Sequence, residues 1–163
     1  MSLMISNIQE ASPRALAHVH LSSWKEGYRG IVDESLLSRM SLEKRTQDWE
    51  KWLGGGIQGF SYSEDDTVTG FLTYEAKKTN QWELMTLYVA PDSWGHGIAR
   101  SLMDAYHAIL PSSALSFLYV VRENARAITF YGKCEYAMIG EPFERVVFGA
   151  TVNAQRMERL KTQ

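Results

Sequence analysis

A turn with two glycines joins a predicted strand, residues 81–90, to a helix predicted over residues 96–110. The first N–H groups of a helix have no partners within it, and the helix dipole adds partial positive charge there. Because glycine has no side chain, Gly95 and Gly97 let an anion approach these groups closely. The turn can therefore bind phosphate oxygens without a basic side chain. The two glycines are also consistent with a tight turn that binds nothing.

Two common nucleotide-binding motifs are absent from the chain. No Gly-x-x-x-x-Gly-Lys-Ser/Thr segment occurs, which disfavours a P-loop nucleotide hydrolase. Arg100 stands where a Gly-x-Gly-x-x-Gly fingerprint needs its third glycine, which disfavours a Rossmann dinucleotide site. His96, inside the turn, would add a charge-assisted contact to a phosphate when protonated, or would simply face solvent.

A second polar and aromatic segment begins at Asn124, after a buried apolar strand. Asparagine is among the best helix N-caps, so a short helix is predicted over residues 124–133. Tyr131 lies four residues after Ala127 and therefore on the same helical face. On its own, Tyr131 fits an aromatic core residue better than a catalytic phenol.

Glu83 is a charged residue in a predicted central strand, where charges are seldom placed without a reason. Strand alternation predicts that it shares a face with Met85, Leu87 and Val89. A carboxylate there can serve chemistry, or it can lie at the strand end in water or in a salt bridge.

These segments resemble the acyl-CoA site of the GNAT acetyltransferases. The pyrophosphate loop of that superfamily reads Gln/Arg-x-x-Gly-x-Gly/Ala, and its six positions fall here on Trp94, Gly95, His96, Gly97, Ile98 and Ala99. Gly97 and Ala99 match this pattern, whereas Trp94 departs from it. The family block Asn-x-x-Ala-x-x-Phe-Tyr is matched by Asn124, Ala127, Phe130 and Tyr131. Glu135 and Tyr136 then stand where the family has Gly-Phe. Residues 83–89 are similar to the family strand Glu-Leu-x-x-Leu-Tyr-Val.

The resemblance implies an acetyl-CoA-dependent N-acetyltransferase that passes the acetyl group directly to an amine, without a metal. It implies Tyr131 as the group that protonates the leaving thiolate and Glu83 as general base. A backbone N–H near Val89 would stabilise the oxyanion. The residues implied to bind acetyl-CoA are Leu87, Tyr88, Val89, Trp94, Gly95, His96, Gly97, Ile98, Ala99, Arg100, Asn124, Ala127 and Tyr131.

The end of the first helix resembles a further family feature, Trp-x-x-x-Tyr-x-Gly, at Trp24, Tyr28 and Gly30. In the superfamily this helix lines the acceptor pocket, which makes Trp24 and Tyr28 candidate substrate contacts. Packing of the helix against the sheet explains the two aromatic residues equally well. The acceptor stays open, and polyamines, amino acids, aminoglycosides, ribosomal N-termini and lysine side chains are all consistent with the sequence.

Two other functions remain open beside acetyl transfer to a small-molecule or protein amine. One is a GNAT-fold module that binds acyl-CoA without transferring the acyl group, which the departures at Trp94 and Glu135 favour. The other is an interaction domain that keeps only the fold. Absence of protection by CoA against thermal unfolding would point to the latter.

The elements that position these groups follow the order β α α β β β α β α β β. Predicted strands cover residues 4–10, 58–63, 67–76, 81–90, 114–121, 136–141 and 150–159, and predicted helices begin at Pro13, Asp33, His96 and Asn124. The second helical stretch, residues 33–53, is expected in two pieces. This order predicts an α/β fold: a mixed, mostly antiparallel sheet with a splayed parallel pair, strands 4 and 5, and helices on both faces.

Composition excludes several classes of protein. The 163 residues fit one GNAT domain, residues 1–163, and Met1–Leu3 is expected to be an added leader. A formal net charge of −2 gives no sign of nucleic-acid binding.

One cysteine, Cys134, allows no intrachain disulfide, and no membrane span or signal peptide is evident. We expect a cytoplasmic, bacterial-type protein that binds acetyl-CoA and an amine, with no nucleic acid or membrane partner and with homodimerisation possible.

Overall fold

The computed structural model describes residues 3–160, which form a seven-stranded sheet with five α-helices. The strands are β1 (Leu3–Asn7), β2 (Gln58–Glu64), β3 (Thr67–Ala76), β4 (Gln81–Val89), β5 (Leu115–Val121), β6 (Tyr136–Val147) and β7 (Ala150–Arg159). The helices are α1 (Pro13–Gly27), α2 (Glu34–Ser38), α3 (Leu42–Gly54), α4 (Ile98–Ile109) and α5 (Ala125–Lys133). The predicted element order is confirmed. The first two residues of the expected leader lie outside the described residues.

The sheet has the strand order β1-β2-β3-β4-β5-β7-β6. β4 and β5 are parallel, and all other neighbouring strands pair antiparallel. The mixed, mostly antiparallel sheet predicted from the sequence is therefore confirmed. The parallel pair arises because α4 carries the chain from the end of β4 back to the start of β5.

Helices cover both faces of the sheet, and each face has its own core. α1 and α3 pack on one face, where Leu16 and Trp49 meet Phe71 of β3. α4 and α5 lie on the other face, where Leu102 packs against Leu72, the neighbour of Phe71 in the strand. Adjacent strand residues point to opposite faces, so Phe71 and Leu72 each supply one of the two cores.

A bulge in β4 separates it from its parallel neighbour. Thr73 of β3 lies opposite Thr86, but the next residue, Tyr74, lies opposite Leu84, so Met85 has no partner on β3. A bulge bends a strand and increases its twist. β4 pairs with β5 only at its first three residues, Gln81–Glu83, and the two strands diverge beyond that point. The splayed pair is confirmed, and the bulge lies where the divergence begins.

Three predicted boundaries are wrong. β1 ends at Asn7 because residues 8–10 form a single 3-10 turn, in which the Asn7 side chain accepts a hydrogen bond from the Gln9 N–H at 2.9 Å. α4 begins at Ile98 rather than His96, because Gly97 has a left-handed φ of 79°. β6 runs to Val147 instead of ending near residue 141, since it is an exposed edge strand without the apolar alternation that would reveal it.

No helix within residues 3–160 is long and apolar enough to cross a membrane.

Candidate active site

The gap between β4 and β5 holds a cavity of about 340 Å³, called the larger cavity below. One wall is β4 from Leu84 to Val89, and the other is β5 from Leu118 to Val121. Of the residues predicted to bind acetyl-CoA, those that line this cavity are Leu87, Tyr88, Val89, Trp94, Ala99, Asn124, Ala127 and Tyr131. These come from β4, the glycine turn, α4 and α5, and the structure brings them around one space.

The glycine turn lies at the end of the larger cavity, between Trp94 and Ala99, which both line it. Gly95 and Gly97 have φ values of 84° and 79°, which residues with a side chain rarely adopt. A Cβ added at either glycine would meet nothing within 4 Å, so backbone conformation rather than space requires glycine here. Gly97 caps α4 without any side-chain hydrogen bond. The first N–H groups of α4 are thus left for an anion.

The remaining predicted residues of the turn do not line the larger cavity. Ile98 is buried in the core beneath α4, whereas Gly95, His96 and Gly97 are exposed. Arg100 is also exposed and forms an ion pair with Asp104 at 3.2 Å on the outer face of α4.

Trp94, the residue that departs from the family pattern, makes two specific contacts. Its indole Nε1 donates a hydrogen bond to the Val89 carbonyl oxygen at 2.7 Å. The guanidinium Cζ of Arg126, from α5, lies 3.5 Å from the centre of its ring, a cation–π contact. Arg126 also lines the larger cavity, although nothing in the sequence marks it as a site residue. A cation therefore stands near the glycine turn, but it comes from a different segment than the family pattern specifies.

The edge of β4 facing the gap offers free backbone groups. The Ala90 N–H donates to the Thr69 carbonyl at 2.8 Å, toward β3. Because backbone groups alternate in direction along an antiparallel pair, those of Leu87 and Val89 point the other way, toward the gap. The hydrogen bond from Trp94 to the Val89 carbonyl is consistent with this direction. An extended ligand with amide groups could pair with this edge, with the Val89 carbonyl already engaged.

The start of α5 and its last turn face the same cavity. Asn124 caps the helix, and its Oδ1 accepts a hydrogen bond from the Ala127 N–H at 3.2 Å. Tyr131 lines the cavity, and within residues 3–160 its hydroxyl has no hydrogen-bond partner. Burial raises the pKa of Tyr131 well above the ordinary 10, and the nearby Tyr28 and Tyr136 add to this. The phenol is therefore protonated at neutral pH.

Glu83 lines a second space of about 110 Å³, called the smaller cavity below. The two cavities are adjacent, because both are lined by Tyr28, Met85 and Tyr119. Burial raises the pKa of Glu83 above its ordinary 4.5, and Lys77, whose Nζ lies 3.7 Å from the carboxylate, opposes part of that rise. A carboxylate with a raised pKa in the cavity beside the larger one is suited to accept a proton.

The predicted common face of Glu83, Met85, Leu87 and Val89 is wrong, and the bulge at Met85 is the reason. Leu87 and Val89 pack with the core beneath α4. Glu83 instead lines the smaller cavity together with Tyr88, on the α1 side of the sheet. One extra residue in a strand reverses the alternation beyond it.

The two aromatic residues of α1 have different positions. Trp24 is 2 % exposed, and its Nε1 donates a hydrogen bond to the Tyr88 hydroxyl at 2.8 Å. It lines the smaller cavity from within the core. Tyr28 packs against Trp24, with ring centres 4.3 Å apart, and lines both cavities. Trp24 and Tyr28 therefore both pack against other aromatic side chains and line a cavity.

A guanidinium at the smaller cavity, that of Arg145, was also missed by the sequence analysis. It belongs to the part of β6 that was predicted to be a loop, so no strand pattern marked it. Arg126 is an unspecified position of the Asn-x-x-Ala-x-x-Phe-Tyr block, and Arg145 lies in no recognisable motif. Only the fold shows that each lines a cavity.

Comparison with known proteins identifies the family of this chain. The family model described as the acetyltransferase (GNAT) family matches residues 21–136. A probable N-acetyltransferase of Mycobacterium tuberculosis is 24 % identical over 142 residues, which is 78 % of this chain and 76 % of that protein.

Solved structures show the same fold. The PaiA N-acetyltransferase of Thermoplasma acidophilum, crystallised in complex with coenzyme A, matches with a TM-score of 0.71 and 24 % identity, over 98 % of this chain and 99 % of that one. A GCN5-related N-acetyltransferase from Rhodopseudomonas palustris matches with a TM-score of 0.77 and 15 % identity, over 98 % and 96 % of the two chains. The protein belongs to the GNAT acetyltransferase family.

Proposed function

We propose that this protein is an acetyl-CoA-dependent N-acetyltransferase that transfers the acetyl group directly to a primary amine of a small molecule or a protein. The observation that carries the proposal is the pair of adjacent cavities at β4 and β5. Tyr131 lines the larger cavity and Glu83 the smaller one, so a proton donor and a proton acceptor lie in neighbouring cavities.

The larger cavity would hold acetyl-CoA. Its pantetheine amides would pair with the backbone groups of Leu87 and Val89, and its pyrophosphate would lie at the N-terminus of α4. Arg126, held on the Trp94 ring, would add a cation beside the phosphates. The coenzyme A complex of the Thermoplasma acidophilum protein, which shares this fold, supports the assignment.

The reaction follows from the positions of the two proton-transfer groups. The amine nitrogen attacks the thioester carbonyl carbon, and Glu83 takes the proton that the amine loses. A backbone N–H near Val89 that the pantetheine leaves unpaired stabilises the oxyanion that forms. The carbon–sulfur bond then breaks, and Tyr131 gives its proton to the sulfur, so the products are an N-acetylated amine and the free thiol of CoA. Holding both reactants in adjoining cavities supplies much of the rate.

Titration calorimetry with acetyl-CoA tests the first part of this proposal. We expect binding in the micromolar range, together with a rise in melting temperature, since a ligand at 100 times its Kd adds about 2.7 kcal/mol of stability. Thiol release with a panel of amines then tests transfer. Folded protein that does not bind acetyl-CoA would refute the proposal.

One observation favours a second candidate, an acyl-CoA-binding module without transfer activity. The Trp94 indole occupies the Val89 carbonyl, which an extended ligand would otherwise use. This candidate predicts acetyl-CoA binding with no thiol release above background for any amine, and no difference between the natural protein and Tyr131→Phe.

A further inference from the structure

The smaller cavity contains one carboxylate and one guanidinium, those of Glu83 and Arg145. The two groups line the same cavity, and the charge of Arg145 opposes the rise in the pKa of Glu83. The ammonium of Lys77 is already 3.7 Å from the Glu83 carboxylate. The acceptor end of the site is therefore not an acidic pocket. A polyamine would bring a second ammonium toward two cations.

The Arg145 side chain is exposed on the edge strand β6 and forms no close ion pair among the described residues. Within residues 3–160 no carboxylate oxygen lies within 4.0 Å of its guanidinium, and no hydrogen bond uses its donors. Its one specific contact is with the ring of Tyr119, 5.2 Å from the guanidinium carbon. Four of the other nine arginines are ion-paired, namely Arg29, Arg45, Arg100 and Arg156. The guanidinium of Arg145 is thus left with five N–H donors that match a carboxylate in geometry.

The rest of the smaller cavity is apolar and aromatic. Its further lining residues are Trp24, Tyr28, Leu84, Met85, Tyr88, Tyr119, Val120, Val121, Val147, Val152 and Ala154. A volume of about 110 Å³ suits a small molecule. The wall beside the two charged groups would pack against a hydrocarbon or aromatic side chain.

We propose that the acceptor is a free α-amino acid with an apolar side chain, bound with its amine toward Glu83 and its carboxylate on Arg145. This inference rests on the proposed function and narrows it. The reaction is the one described above, and its product is an N-acetyl amino acid. The carboxylate anchors the acceptor, the apolar wall selects its side chain, and the amine is left beside the proton acceptor.

Matched acceptors test this inference. Thiol release is measured with L-leucine, L-methionine and L-phenylalanine, with the amides of the same amino acids, and with spermidine. An amino acid amide has the less basic amine, so intrinsic reactivity at neutral pH favours the amide. We expect the free acids to have the higher kcat/KM by about tenfold or more, which is the value of a hydrogen bond to a charged group.

Arg145→Gln identifies the group responsible. It should lower kcat/KM for the free acids by about 10- to 100-fold and leave the amides little changed. Arg145→Lys should restore part of the loss, because it returns the charge without the planar fork. Arg14→Gln removes the same charge from the exposed face of α1 and should change neither. Acetyl-CoA affinity, measured for each variant, verifies that the folded site is intact.

Two results would overturn the inference while the proposed function stands. One is a preference for the amides or for spermidine in the natural protein. The other is an equal effect of Arg145→Gln on acids and amides. A protein that binds acetyl-CoA but releases no thiol with any of these acceptors, or with a wider amine panel, would overturn the transfer function and this inference with it.

Discussion

Burial raises the pKa of both proposed proton-transfer groups, with different consequences for each. For Glu83 a raised pKa means a stronger base, closer to the pH at which an amine is acetylated. For Tyr131 a raised pKa means that the proton is retained until a thiolate needs it. One physical cause, desolvation in the gap between β4 and β5, thus suits the two side chains to opposite tasks.

Tyr131→Phe is the sharpest single-atom test of the site. It removes the hydroxyl and leaves the ring, so we expect kcat to fall about 100-fold or more with little change in acetyl-CoA affinity. Steady-state kinetics and calorimetry measure the two effects separately. Tyr62→Phe, a half-buried tyrosine on β2, is the control and should keep full activity. Equal activity of Tyr131→Phe and the natural protein would exclude the phenol as the proton donor.

Glu83→Gln should change the pH dependence of the reaction as well as its rate. Glu83 acts as a base only when ionised, so kcat/KM should rise as the pH passes upward through its pKa, which lies above 4.5. We expect Glu83→Gln to lose that limb of the profile and to fall about 100-fold or more at neutral pH. Glu75, on the neighbouring strand β3, has its carboxylate 3.2 Å from the Lys77 Nζ. Glu75→Gln is the control, and its kcat/KM should still rise with pH. An unchanged profile in Glu83→Gln would assign the base role elsewhere.

Arg126→Gln tests whether the Trp94–Arg126 pair serves the phosphates. A charge-assisted hydrogen bond to phosphate is worth about 1.5–3 kcal/mol, so acetyl-CoA affinity should fall about tenfold or more. The loss should shrink at high salt, since the side chain is exposed and screened. Calorimetry at two salt concentrations measures this. Arg122→Gln, at the end of β5, removes a charge that does not line the larger cavity and should bind acetyl-CoA normally.

Residues of the candidate site differed in how visible they were in the sequence. Asn124 and Tyr131 lie seven positions apart in one helix, and that fixed spacing made them recognisable. Arg126, from α5, and Arg145, from an edge strand, line the cavities only because the chain folds. Their spacing in the sequence does not predict which side chains they will lie beside. Fixed local geometry can be predicted from a sequence, whereas convergence of distant side chains needs the fold.

At the scale of elements, the bulge of β4 is the feature that creates the site. Without the extra residue at Met85, β4 would continue to pair with β5. The backbone groups of Leu87 and Val89 would then form hydrogen bonds with β5 and could not bind a ligand. The strand itself was predictable from its apolar run, but the bulge was not. Its consequence for Glu83, which lies on the opposite face from the one that simple alternation predicts, could not be predicted either.

Asn124 has two roles, the cap that stabilises α5 and the proposed contact with acetyl-CoA. Two substitutions separate these roles. Asn124→Ala removes the cap of α5 and should cost about 1 kcal/mol, or about 2–4 °C in melting temperature. Asn124→Ser keeps a capping oxygen and should melt close to the natural protein. If the amide also contacts pantetheine, both variants should bind acetyl-CoA more weakly. If Asn124→Ser binds acetyl-CoA with normal affinity, Asn124 serves only as the helix cap and does not contact pantetheine.

At the scale of the whole molecule, the fold was the most predictable property. The cap at Ser12, the glycines that end α3 and the apolar runs in β4 and β5 each act locally, and together they favour this order of elements. A parallel pair joined by a helix has essentially one handedness, which leaves few ways to arrange the sheet. The long β6 escaped prediction because its exposed residues carry little burial pattern.

The site should also have a measurable cost for the stability of the whole protein. The pKa of Glu83 is raised in the fold, so the fold favours its neutral form. That favourable contribution is complete below the unfolded pKa of 4.5 and is lost as the pH rises through the folded pKa. At neutral pH the ionised carboxylate therefore makes the folded protein less stable than a glutamine at this position would.

Glu83→Gln should accordingly melt at the same temperature as the natural protein below pH 4.5 and at a higher temperature near pH 7. Each ~1 kcal/mol of difference would appear as a shift of about 2–4 °C in a domain of this size. Calorimetric melting across this pH range measures it, without acetyl-CoA. Glu75→Gln, whose side chain is 56 % exposed, should show no such gain. A Glu83→Gln protein that melts lower than the natural protein at pH 7 would mean that the pair with Lys77 outweighs desolvation. The carboxylate would then be held for structure as well as for proton transfer.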